Sequence, residues 1–123
     1  MRTKLLGVVL AALFVGVAWA GQGKLDGKNF KVMVTEPDQK TYADTLTFKH
    51  GSFDSSECAK FGFKPTAYSG DGETFTATAK SAKEGTAEWS GTIKGDQVQG
   101  KLVWTKAGQP TYTYTFAGTT PQK

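Results

Sequence analysis

Cys58 is the most reactive side chain in this sequence, and His50, Asp54 and Glu57 stand close to it in the chain. A thiolate, an imidazole and two carboxylates are ligand types for zinc or copper. Their spacing argues against such a centre. The chain has one Cys and one His, so no Cys-x-x-Cys pair exists and carboxylates would have to complete the shell. The competing role for Cys58 is a small apolar side chain packed beside Phe61 and Phe63. As a possible reactive thiol it keeps two further roles: an intermolecular disulfide, and a thiolate favoured by a place in the first turn of a helix.

His50 is the only imidazole available to any nucleophilic mechanism, and it falls at a hairpin tip. No Gly-x-Ser-x-Gly elbow accompanies it. The acids are scattered, mostly through turns, as at Asp38, Asp54, Asp71, Glu84 and Asp96. Nothing pairs two of them at glycosidase separation. Gly70-Asp71-Gly72 lacks the Lys-Ser/Thr of a phosphate loop and the Asp ladder of a calcium loop, and reads as a turn. No catalytic residue, metal ligand or cofactor motif is therefore expected.

The aromatic side chains offer binding chemistry instead. Trp89, Trp104, Tyr112, Tyr114 and Phe116 recur at even spacing on three consecutive strand-like segments. Pointing inward, they either fill a core or wall an apolar pocket.

The elements that would hold them are strands. After Ala20 there are sixteen threonines and thirteen aromatics, a composition suited to pleated, half-buried surfaces. Phe30, Val32 and Val34 alternate with Lys31, Met33 and Thr35, and a second strand runs from Asp44 to Lys49 with Leu46 and Phe48 aligned. His50-Gly51 is a two-residue hairpin that sets Phe48 opposite Phe53. One helical turn is expected near residues 55–61, capped by Asp54 or Ser55 and closed by Gly62. Phe75, Ala77 and Ala79 form another inward row, and Gly95-Asp96 sets Ile93 opposite Val98. About eight short antiparallel strands result, an all-β meander. Gly91, Gly100 and Gly118 interrupt apolar faces where backbones must bend or approach closely. A small closed or flattened barrel is favoured over a sandwich.

Residues 1–20 read as a signal peptide. Met1 to Lys4 is basic, Leu5 to Val17 carries no charge, and Ala18-Trp19-Ala20 fits cleavage after Ala20. The apolar run is shorter than the roughly 20 residues needed to span a bilayer. A periplasmic or secreted single domain over residues 21–123 follows, with no transmembrane segment after cleavage. The formal charge of +4 falls to +2 once Arg2 and Lys4 leave with the leader, and Arg2 is the only arginine. A nearly balanced chain with dispersed lysines gives no basic footprint for nucleic acid. With a single cysteine no intramolecular disulfide forms, and stability rests on the core.

Asp44-Thr45-Leu46-Thr47-Phe48, then Ser55-x-x-Cys58 with Gly62-Phe63 and Tyr68, then Lys83-Glu84-Gly85-Thr86 leading to Trp89-x-Gly91-Thr92, resembles a group of small bacterial exported proteins of unknown function. That resemblance implies a lipocalin-like (calycin-type) barrel in the cell envelope. Leu25 to Phe30 is similar to the Gly-x-Trp opening of lipocalins but lacks its Trp. The functional expectation is a non-catalytic protein binding a small, largely apolar molecule through Trp89, Trp104, Tyr112, Tyr114 and Phe116. The alternatives are an envelope structural or protein-interaction module with a filled core, and a redox or metal-binding protein centred on Cys58.

Overall fold

A computed structural model describes residues 23–121. The leader read in residues 1–20, with its cleavage site, lies outside them. Eight strands follow one another: β1 (Asn29–Thr35), β2 (Thr41–Lys49), β3 (Ser52–Ser55), β4 (Thr66–Gly70), β5 (Thr74–Ser81), β6 (Gly85–Lys94), β7 (Gln97–Thr105) and β8 (Tyr112–Thr119). Each pairs antiparallel with the next, and β1 pairs with β8 to close the barrel. One short helix, α1 (Ser56–Ala59), leaves β3 where the helical turn was expected.

Period-two alternation decides which residues lie inside. Phe30, Val32 and Val34 of β1, Leu46 and Phe48 of β2, and Phe75, Ala77 and Ala79 of β5 are buried, while their chain neighbours face outward or lie half-buried. Turn chemistry then fixes register. His50 and Gly51 have φ of 53° and 77°, the pair of positive values that a type I′ hairpin requires, and Phe48 lies opposite Phe53. The Gly95-Asp96 turn sets Ile93 opposite Val98.

Gly100 marks one of the close strand approaches. It pairs with Gly91 on one side and Phe116 on the other. A Cβ there would collide with the Ser90 carbonyl oxygen, and would stand 2.6 Å from Gly91 Cα and 2.8 Å from the Phe116 ring. The missing side chain is what lets the sheet coil around that ring.

An aromatic column fills the middle of the barrel. Phe48 meets Phe53, Tyr68 and Phe75 at ring-centroid distances of 5.2, 4.9 and 5.0 Å. Phe53 continues to Trp89 at 5.1 Å, and Trp89 to Phe116 at 5.4 Å. Trp89 Nε1 is buried with no hydrogen-bond partner among the described residues.

One end of the barrel is shut by the chain before β1. Leu25 is fully buried there. The Asp26 carboxylate accepts from Gly51 N at 2.9 Å, the Tyr68 hydroxyl at 2.8 Å and Gly23 N at 3.1 Å. The Tyr68 oxygen in turn accepts from Leu25 N at 2.8 Å. These bonds, the Gly51 N–H foremost, hold the Asp26 carboxyl below the usual carboxylate range.

Candidate functional site

The opposite end of the barrel is open, because β3 stops after four residues and α1 with the following loop takes its place. A buried carboxylate anchors this departure. Asp44, on the inner face of β2, accepts from Ser55 Oγ at 2.5 Å, Thr45 N at 2.7 Å, Ser56 Oγ at 2.9 Å and Glu57 N at 3.0 Å. Four donors compensate its removal from water. Ser55 Oγ accepts from Cys58 N at 3.1 Å and caps α1. Gly62, with φ 89°, turns the chain so that Phe63 folds back into the core.

Between these elements lies a cavity of about 370 Å³. Its floor and walls include Phe63, Ala87, Leu102, Tyr42, Trp104 and Tyr114, with Phe61 and Cys58 on the α1 side. Glu36, Glu57 and Glu84 complete the lining. Trp104 is held from two directions. Its Nε1 donates to the Glu84 carbonyl at 2.5 Å, and its ring stacks on Tyr112 with centroids 5.9 Å apart. Glu84 is in turn paired with Lys106 at 3.1 Å, and Glu57 with Lys60 at 2.9 Å.

The five aromatic positions singled out from sequence separate by depth. Trp104 and Tyr114 line the cavity. Trp89 and Phe116 belong to the packed column below it, only 2% and 3% exposed. Tyr112 sits outside, covering Trp104. Tyr42 and Glu36, which the sequence pattern did not bring forward, are wall residues. Tyr42 shares strand parity with Asp44, Leu46 and Phe48, and that parity was the available signal.

Cys58 is half-buried on the cavity wall, close to Phe61 and Phe63. Burial pushes its thiol up to about 11, against the lowering by Ser55, and the nearby charges of Asp44, Asp54 and Glu57 add to the rise. A helix of four residues supplies too little field to reverse this. His50 is at the far end of β3, four strand residues or roughly 13 Å from α1. No group of three or more His, Cys, Asp or Glu among the described residues could hold a metal ion. No described helix is long and apolar enough to cross a membrane.

Burial first and neighbouring negative charge second hold the Tyr42 proton well above the ordinary value and raise that of Tyr114. Tyr68 is pushed up to about 12, again mainly by burial. For groups of this kind the folded state binds the proton more tightly than the unfolded state. The stabilisation is complete below the unfolded pKa and lost as pH rises through the folded one. For Cys58 the window runs from 9.0 to about 11. Chemical denaturation under reducing conditions is expected to give constant stability from neutrality to pH 9. Between pH 9 and 11 Cys58 contributes a loss on the order of 2 kcal/mol, which Cys58→Ala should remove, and the raised tyrosines Tyr42, Tyr68 and Tyr114 add a further fall above pH 10 that the variant keeps.

No protein-family model, curated protein or solved structure matches this chain.

Proposed function

We propose that the chain is an exported, non-catalytic binding protein that takes a small, largely apolar molecule into the open end of the barrel. One observation carries this reading. In an interior otherwise packed by aromatic rings, about 370 Å³ is left unfilled and is walled by Tyr42, Phe61, Phe63, Trp104 and Tyr114. Close packing is the default for protein interiors, and ligand pockets begin at about 300 Å³. The periplasmic or secreted setting rests on the leader pattern in residues 1–20, and the lipocalin-like kinship on the motif resemblance.

The test is a fluorescence titration with a neutral, apolar naphthylamine dye. Saturable dye enhancement with quenching of Trp104, lost in Trp104→Phe and kept in Trp89→Phe, is the expected result. A protein that leaves the dye unchanged at every concentration would refute the reading.

A second reading, an envelope structural or interaction module, draws on the outer surface. A trough of about 910 Å³ crosses the outer face of β1 and β5 to β8, over Met33, Thr76, Ser90, Gln99 and Ala117. Its walls are mainly threonine and serine side chains with Gln99 and Lys101, and Met33 is half-exposed beside them. A Cys58-centred redox or metal function draws no such support, because the thiol stays protonated near neutrality.

A further inference from the structure

The charges on the cavity wall are all of one sign. Glu36, Glu57 and Glu84 line it, and no lysine or histidine does. Glu57 and Glu84 are engaged by Lys60 and Lys106, whose ammonium groups stand 2.9 and 3.1 Å away. Glu36 differs. Among the described residues no cation lies within ion-pair distance of its carboxylate. Its backbone is nevertheless fixed at the cavity rim, since Glu36 N donates to the Lys40 carbonyl at 2.7 Å and Gln39 N donates to the Glu36 carbonyl at 2.8 Å. The negative field of Glu36 also reaches inward, where it adds to burial in holding the protons of Tyr42 and Tyr114.

Resting on the binding function proposed above, we infer that the cavity selects free, single-chain amphiphilic amines: an apolar tail against Phe63, Ala87 and Leu102, and a cationic head between Glu36 and the ring faces of Trp104, Tyr42 and Tyr114. An ammonium group there gains an unpaired carboxylate and cation–π contact. An anionic head would instead enter among three carboxylates, with both nearby lysines already occupied. A neutral head would gain only the tail contribution, so the order of affinity separates the three cases.

Octylammonium, octanol and octanoate, which share a tail and differ in head group, can be compared by displacement of the neutral dye at neutral pH and low salt. Octylammonium is expected to bind at least about tenfold tighter than octanoate, with octanol between them. Glu36→Gln should bring the two charged ligands within about threefold of each other and leave octanol unchanged. Octanoate binding as tightly as octylammonium, or a ratio unaltered by Glu36→Gln, would overturn the amine preference while octanol binding still upholds the cavity. Failure of all three, and of the dye itself, would overturn the binding function and the preference together.

Discussion

Phe48→Ala is expected to destabilise the protein by about 3–5 kcal/mol. Phe48 is 1% exposed and is the hub of the aromatic column, in edge contact with Phe30, Phe53, Tyr68 and Phe75. Removing the ring loses its transfer free energy and leaves a void that four surrounding rings, each anchored on a different strand, cannot collapse to fill. Domains of this size are stable by only about 5–15 kcal/mol, so the loss is a large fraction of the total. Met33→Ala is the matched control. Its side chain is 51% exposed on the outer face of β1, and the change should fall within about 0.5 kcal/mol. Urea unfolding with an unchanged slope measures both. A cost below about 1 kcal/mol for Phe48→Ala would mean that the column is not packed as described.

Ala87→Phe is expected to weaken ligand binding on the order of a hundredfold in a protein that still folds. Ala87 sits on β6 opposite Trp104 of β7 and Ala79 of β5, and it lines the cavity. Ala87 is also 1% exposed, so a ring placed there crowds both the cavity and the atoms packed around it, while an aromatic residue suits a strand. Stability should fall by about 1–3 kcal/mol, the usual cost of a small-to-large core change, which leaves a folded protein to titrate. Dye affinity should fall on the order of a hundredfold, because the new ring occupies the volume the ligand would take. Retained dye binding in a folded Ala87→Phe protein would place the binding elsewhere.

How much of this was legible in the sequence differs between its local and its long-range features. Strand faces, the I′ hairpin at His50-Gly51, the register of Ile93 on Val98 and the Ser55-capped turn all follow from local rules, period-two alternation and turn chemistry. Depth along the barrel axis does not. Alternation marks Trp89, Trp104, Tyr112, Tyr114 and Phe116 alike as inward. Only the pairing of Gly100 with Phe116 and of Leu102 with Tyr114 sets the first ring in the column and the second at the cavity. That register is a long-range property of closure.

The same limit applies to the acids. Glu36 and Glu84 occupy turn positions, where carboxylates ordinarily serve solubility. Their convergence on one cavity depends on the β1–β2 and β5–β6 turns falling at the same end of an up-and-down barrel. Asp44 was the exception with a local sign. Its parity with Leu46 and Phe48 puts a carboxylate inside, and the Ser55-Ser56 pair eleven and twelve residues later supplies its donors. Cys58 shows a competition of effects. The helix start that lowers a thiol pKa is present, but burial in an aromatic wall dominates over one helical turn.

Amide and methyl chemical-shift mapping of the protein with the neutral dye, at substoichiometric to saturating ratios, tests the binding site most directly. Shifts are expected at Tyr42, Cys58, Phe63, Ala87, Leu102, Trp104 and Tyr114, around the open-end cavity. Leu25, Asp26 and Gly51 at the shut end should stay unmoved. Shifts confined to Met33, Thr76, Ser90, Gln99 and Ala117 on the outer trough, or none anywhere, would contradict a ligand held inside the barrel.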